Sequence, residues 1–215
     1  MNARHRESQL TGRLRLRHLM EVTEAVGGEM ADERHRFTRL ANPESAPRVV
    51  SAFNLFQTPP ELAARLAAML DSPNRVLEPS AGLGRLYKAV RALSDCHVTL
   101  VEQAAECSGE LYRQTERDPN SRLIQGDFLT QEPDRLGLFD AVIVNPPFKM
   151  WRDIKHIMHA QKFLCPGGRL VGLCANGPRQ QEKLQPIASQ WIDLPAKSFA
   201  SEGTNVNAAI IVIDN

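Results

Sequence analysis

The sequence has no excess of either charge: 26 Lys and Arg against 25 Asp and Glu leave a formal net charge of +1 over 215 residues. A chain-wide basic field is therefore excluded, and any surface for a polyanion must be local. Cysteine is sparse, and the four present (Cys96, Cys107, Cys165 and Cys174) show no C-x-x-C spacing. Each falls in or beside an apolar stretch, so buried thiols are expected rather than a zinc site. His156 and His159 stand three apart with no evident third ligand and read as ordinary core or surface residues. No apolar run reaches the length of a membrane span and no secretory leader is legible, so no membrane partner and a cytoplasmic location are expected. Internal repeats and low-complexity tracts are also missing.

The length suits one α/β domain with a sizeable core and a short extension. Arg4, Arg6, Arg13, Arg15 and Arg17 alternate with Leu10, Leu14, Leu16 and Leu19, a basic and weakly amphipathic pattern. Gly27-Gly28 interrupts it, and Pro43 and Pro47 mark a linker. Residues 1–50 are expected to form a basic helical extension, and 51–215 the main domain.

The main domain is organised around Phe139-Asp140-Ala141-Val142-Ile143-Val144-Asn145-Pro146-Pro147-Phe148. Ala141 to Val144 reads as a strand buried on both faces of a parallel sheet. The two prolines forbid both a further ladder bond and an immediate helix. A carboxamide and a rigid turn thus stand at the carboxyl edge of a central strand, where open α/β sheets bind ligands.

Upstream, Thr58 is a plausible N-cap for a helix that opens with Pro59 and Pro60 and runs to Leu70. Arg75-Val76-Leu77-Glu78-Pro79-Ser80-Ala81-Gly82-Leu83-Gly84 is a strand and glycine turn feeding a helix from Arg85 to Ala92. Gly82 and Gly84 let the backbone approach a ligand, and the helix start offers N–H groups to a carboxylate. His97 to Val101 is a second strand ending at Glu102, with Gln103 beyond it; an acid placed there suits the hydroxyls of a bound ribose. A helix from about Ala104 to Arg117 leads to a third strand, Arg122 to Gln125, then Gly126-Asp127-Phe128. Lys149 to Phe163 is helical by period, with Trp151, Ile154, Ile157, Met158 and Phe163 available to a core face. Cys165 to Gly168 reads as a turn into a fifth strand from Arg169 to Cys174, and Asn176 to about Gln190 as a polar stretch. Trp191 to Leu194 and Asn207 to Asp214 make a closing strand pair.

Taken in order, these motifs resemble S-adenosylmethionine-dependent methyltransferases of class I, above all the adenine-N6 enzymes. Asn145-Pro146-Pro147-Phe148 is similar to their catalytic tetrad, and Glu78-Pro79-Ser80-Ala81-Gly82-x-Gly84 to their cofactor loop. Phe56-Gln57-Thr58-Pro59 resembles the segment that touches the methionine part of the cofactor. Leu-Pro-x-x-x-Phe-x-x-x-Gly-x-x-Val, ending at Val206, resembles the close of their catalytic domains. The resemblance implies a Rossmann-like α/β fold, a seven-stranded, mostly parallel sheet of order 3-2-1-4-5-7-6 flanked by helices. It further implies S-adenosyl-L-methionine held by Phe56 to Pro59, Glu78 to Gly82, Gly84, Glu102, Gln103, Asp127, Phe128 and Asn145. Asp127 would accept from the cofactor's exocyclic amine, and Phe128 or a neighbour would cover its ring.

An aromatic amine is a poor nucleophile because its lone pair is delocalised. Two acceptors that take its N–H protons, the Asn145 side-chain oxygen and the Pro146 carbonyl, favour a pyramidal nitrogen. Phe148 would stack on the base, and no metal is required. N6 of adenine in DNA is the expected acceptor, flipped out of a duplex. A base in RNA, a glutamine amide in protein, or an inactive cofactor-binding subunit are the alternatives. DNA enzymes of this motif order commonly carry a following target-recognition domain, whereas this sequence ends at Asn215. Target readout is therefore expected from residues 1–50, from the 149–152 and 176–190 loops, or from a partner subunit. Two chemistries are excluded: Tyr87 occupies the third glycine position of a nicotinamide fingerprint, and Cys165-Pro166 has the wrong order and place for a cytosine-C5 nucleophile.

Overall fold

Short runs of aliphatic and β-branched residues build the sheet: β1 (Arg75–Glu78), β2 (His97–Glu102), β3 (Ser121–Gln125), β4 (Phe139–Val144), β5 (Leu164–Ala175), β6 (Gln190–Asp193) and β7 (Ala208–Asp214). They are seen in a computed structural model that describes residues 57–215. The expected basic extension and Phe56 lie outside the described residues. The strands form one seven-stranded sheet in the order β3-β2-β1-β4-β5-β7-β6. β1 to β5 run parallel to one another, and β7 runs against both β5 and β6. This is the expected topology.

The strand pattern explains the layers. Along β4, Ala141 and Ile143 face one side with Val76, Val98, Val171, Leu173, Ile210 and Val212. Val142 and Val144 face the other with Leu77, Leu170, Ile211 and Ile213. Because successive side chains alternate, a strand with apolar residues at every position must be covered twice. Helices α1 (Pro60–Ala68) and α2 (Arg85–Arg91) supply Leu66, Leu86 and Val90 to the first core, with Leu111 from α3 (Ala105–Thr115). Beyond the short α4 (Pro133–Leu136), α5 (Arg152–Ala160) supplies Ile154 and Ile157 to the second, with Leu184 from α6 (Pro178–Leu184). Ile143 is fully buried; truncating it to Ala would cost about 2–5 kcal/mol.

β1 lies between β2 and β4, so the chain winds outward to β3 and then returns to the other side. That reversal opens a crevice beyond the carboxyl ends of β1 and β4, and it positions the site.

Four local expectations are corrected. Pro59, not Thr58, is the N-cap of α1, and it has no capping side chain; the Thr58 hydroxyl is taken up by Asn145. The helix expected from Lys149 is interrupted, because Met150 and Trp151 adopt left-handed backbone (φ 58° and 57°) and α5 begins only at Arg152. Trp151 lies outside the helix and Met158 on its outer face, so both miss the core and are 53% and 50% exposed. The Cys165–Gly168 turn is a bulge inside a longer β5: the register passes from Phe139↔Leu164 to Ala141↔Arg169, with Gly167 at φ 77°. The polar 176–190 stretch contains α6, started by Pro178 at its first turn.

Candidate active site

A cleft of about 570 Å³ lies at the carboxyl ends of the central strands, within the range for small-molecule sites. The loop after β1 forms its floor. Gly82 and Gly84 take φ values of 55° and 76°, which glycine adopts without penalty. A Cβ on Gly84 would also stand 2.3 Å from Gln114 Oε1 on α3, so a larger residue there would have to displace that side chain.

Glu102, at the end of β2, fixes that loop. Its Oε2 accepts from the Gly82 N–H and its Oε1 from the Ala104 N–H, both at 2.7 Å. A carboxylate has about four acceptor sites, so each oxygen keeps capacity for a hydroxyl donor. At the end of β3, Asp127 caps the following 3-10 turn by accepting from Leu129 N–H at 2.9 Å. Its other oxygen stands 4.0 Å from Arg152 Nη2. Phe128 is buried against Phe163 and His159, with ring centroids 5.2 and 4.9 Å away.

The turn after β4 closes the cleft. Asn145 Nδ2 donates to the Thr58 hydroxyl at 3.0 Å, and Pro146, Pro147 and Phe148 line the wall. Phe148 meets the fully buried Phe199 edge to face at 6.3 Å, so the motif near the chain's end backs the aromatic of the tetrad. Gln57, whose Oε1 accepts from Arg85 Nε at 2.7 Å, borders the cleft beside Thr58. Of the sequence-derived candidates, Gln57, Thr58, Glu78 to Gly82, Glu102, Gln103, Asp127, Phe128 and Asn145 to Phe148 all line this one cavity. Gly84 lies behind the lining, as does Pro59, which caps α1.

Two buried polar atoms in the cleft walls have no partner: Glu78 Oε2 and His156 Nε2. Burial, then the charge of Glu102, holds the Glu78 carboxyl well above the usual carboxylate range. Such a pair of acids is a cradle for a cation, whose arrival would relieve both costs. His156 was missed by sequence reasoning. Its Nδ1 stands 3.0 Å from Ser80 Oγ, tying α5 to the loop after β1. Burial, aided by Arg152, pushes its pKa down to about 4, so the imidazole is neutral at pH 7. A histidine at i+4 from Arg152 carries no local signal; only the packing of α5 under the loop reveals it. Asp153, also missed, is fully buried and accepts from the Ala175 N–H at 3.0 Å and from Gln180 Nε2 at 3.0 Å.

Cys96, Cys107 and Cys174 are buried and Cys165 partly so, all as free thiols. Among the described residues no group of three or more His, Cys, Asp or Glu is placed to hold a metal. No described helix is long and apolar enough to cross a membrane.

No protein-family model matches the chain, and no curated protein matches it in sequence. Solved structures do resemble it. TrmN from Thermus thermophilus superposes with a TM-score of 0.59 at 19% identity, over 73% of this chain and 48% of that one. The N-methyltransferase NodS from Bradyrhizobium japonicum, in complex with S-adenosyl-L-homocysteine, gives 0.57 at 18% identity over 82% of this chain and 98% of that one. An rRNA methylase from Streptococcus thermophilus gives 0.51 at 17% identity over 73% and 96%. With its sheet order and these neighbours, the chain has the Rossmann-like fold of class I methyltransferases.

Proposed function

We propose that this protein is a cytoplasmic enzyme that transfers a methyl group from S-adenosyl-L-methionine to an exocyclic amino nitrogen, N6 of adenine in DNA. The observation that carries the reading is the meeting of two sequence motifs in one cleft. The Asn145–Phe148 turn lines the same cavity as the Glu78–Gly82 loop, Glu102 and Asp127, which come from three other strand ends.

The residues present fit this cofactor. Glu102 keeps acceptor capacity for ribose hydroxyls, and Asp127 stands at the end of β3 for an exocyclic amine. Glu78 Oε2, buried and unpartnered, suits the positive charge that the cofactor carries. When bound, the cofactor supplies an electrophilic methyl group on a cationic sulfur. The chain's own residues prepare the acceptor. The Asn145 side-chain oxygen and the Pro146 carbonyl accept the two amine hydrogens. That stabilisation strengthens as positive charge develops on nitrogen. Phe148, backed by Phe199, holds the base.

Methyl transfer from isotopically labelled cofactor to separate pools of duplex DNA, single-stranded DNA, total RNA and protein tests this reading. The labelled pool is then digested to identify the modified unit. Label as N6-methyladenine in DNA supports the proposal; label in an RNA base or a glutamine amide keeps the nitrogen chemistry and replaces the substrate.

A further inference from the structure

Trp151 follows β4 and Arg179 stands in the first turn of α6, after β5, yet the guanidinium carbon of Arg179 stands 3.6 Å from the centre of a Trp151 ring. The meeting is built from beneath. Asp153, two residues after Trp151, holds buried Gln180, the neighbour of Arg179, and pins both to the end of β5 through the Ala175 N–H. The adjacent backbone is strained. Met150 and Trp151 are consecutive non-glycine residues in left-handed conformation, which stores about 1–3 kcal/mol at each. That conformation swings their side chains outward, to 76% and 53% exposure. A core-packed indole would release more free energy than an exposed one, so packing does not explain this arrangement.

The position narrows what the pair can meet. The loop after β1, Glu102 and Asp127 lie at the ends of β1, β2 and β3, whereas Trp151 and Arg179 follow β4 and β5, beyond the Asn145–Phe148 turn. An indole with an accessible face, a guanidinium stacked on it and the exposed Lys149 beside it match an unpaired nucleotide. Its base stacks on the ring while its phosphate meets the cations. Because the net charge is only +1, such a local cationic and aromatic spot is the form that nucleic-acid binding must take here.

We infer that Trp151 and Arg179 form a stacking platform for the nucleotide next to the methylated base. The inference rests on the nucleic-acid reading of the acceptor and adds to it a named contact outside the catalytic turn.

The chain has two tryptophans, so Trp191→Phe leaves Trp151 as the sole indole reporter. The full chain carrying that change is titrated with adenine-containing single-stranded DNA, its duplex and an RNA of the same sequence, with S-adenosyl-L-homocysteine present. Binding quenches the Trp151 fluorescence. In the natural background, Trp151→Ala raises KM for the nucleic acid roughly 5- to 100-fold, the range of an aromatic–base stack. Its kcat and cofactor affinity stay unchanged, and Trp151→Phe recovers most of the loss. Arg179→Gln lowers the slope of log affinity against log salt by about one. A Trp151→Ala variant that methylates DNA with an unaltered KM, together with an absence of quenching, overturns the platform and leaves the DNA reading standing. Quenching and transfer with RNA alone keep the platform and overturn DNA as the substrate. A wild-type chain that modifies only protein overturns both.

Discussion

Asn145 and Thr58 are 87 residues apart in sequence and joined by a 3.0 Å hydrogen bond from the Asn145 amide to the Thr58 hydroxyl. Thr58 is buried and Asn145 half-buried, and both line the cleft. The bond engages the Asn145 amide nitrogen, and in the proposed reaction the amide oxygen accepts from the amine. Asn145→Ala is expected to lower kcat by about 100-fold or more, as for a lost polar group that acts in the transition state. Cofactor affinity, measured by calorimetry, should hold. Thr58→Val should lower kcat about tenfold by releasing the amide, and Thr58→Ser should restore it.

Glu102 serves two purposes at once. Since its carboxylate already holds the Gly82 and Ala104 N–H groups, its loss loosens the loop as well as removing an acceptor. Glu102→Ala should weaken cofactor binding by about 1–3 kcal/mol. Unchanged affinity would remove Glu102 from the cofactor site.

Glu78 gives a pH signature to binding. Its carboxyl, raised by burial and by Glu102, holds a proton above the ordinary value of 4.5. A cationic ligand favours the ionised form, so binding expels that proton and affinity should climb with pH over a window above 4.5. Glu78→Gln should flatten this dependence. In the empty protein the same group acts on stability in the opposite sense: its contribution is complete below pH 4.5 and declines as pH rises through the raised value.

His156 sets an acid limb. An unfolded imidazole takes its proton near 6.5, the buried one only near about 4. Between those values the unfolded chain binds more protons, so stability falls as pH drops through the window. The loss reaches about 3 kcal/mol at its acid end. Arg152 and His159 deepen the effect and Asp127 opposes it. Denaturant titrations of His156→Asn should show a flatter profile between pH 6.5 and 4 than the natural chain.

The sheet and most of the cleft were legible because their signals are local. Ala141 to Val144 reads as a covered strand, and Pro146-Pro147 ends it. Gly82 and Gly84 announce a tight loop between a strand and a helix. What escaped depends on tertiary contact. The Ser80–His156 bond spans 76 residues and leaves no periodic trace. The outward turn of Trp151 rests on two left-handed residues whose identities, Met and Trp, give no hint of it. α6 is short and polar, so its residues read only as a polar stretch. Thr58 has the chemistry of a cap, yet Asn145 offered it a half-buried partner instead.

The most direct test of the central claim is mass spectrometry of nucleosides from adenine-containing DNA treated with S-adenosyl-L-methionine and either the natural chain or Asn145→Ala. The account predicts N6-methyladenine with the natural chain and almost none with the variant, while both bind the cofactor equally. N6-methyladenine at undiminished levels with Asn145→Ala, or methyl transfer to an RNA base or a glutamine amide in place of DNA, would contradict it.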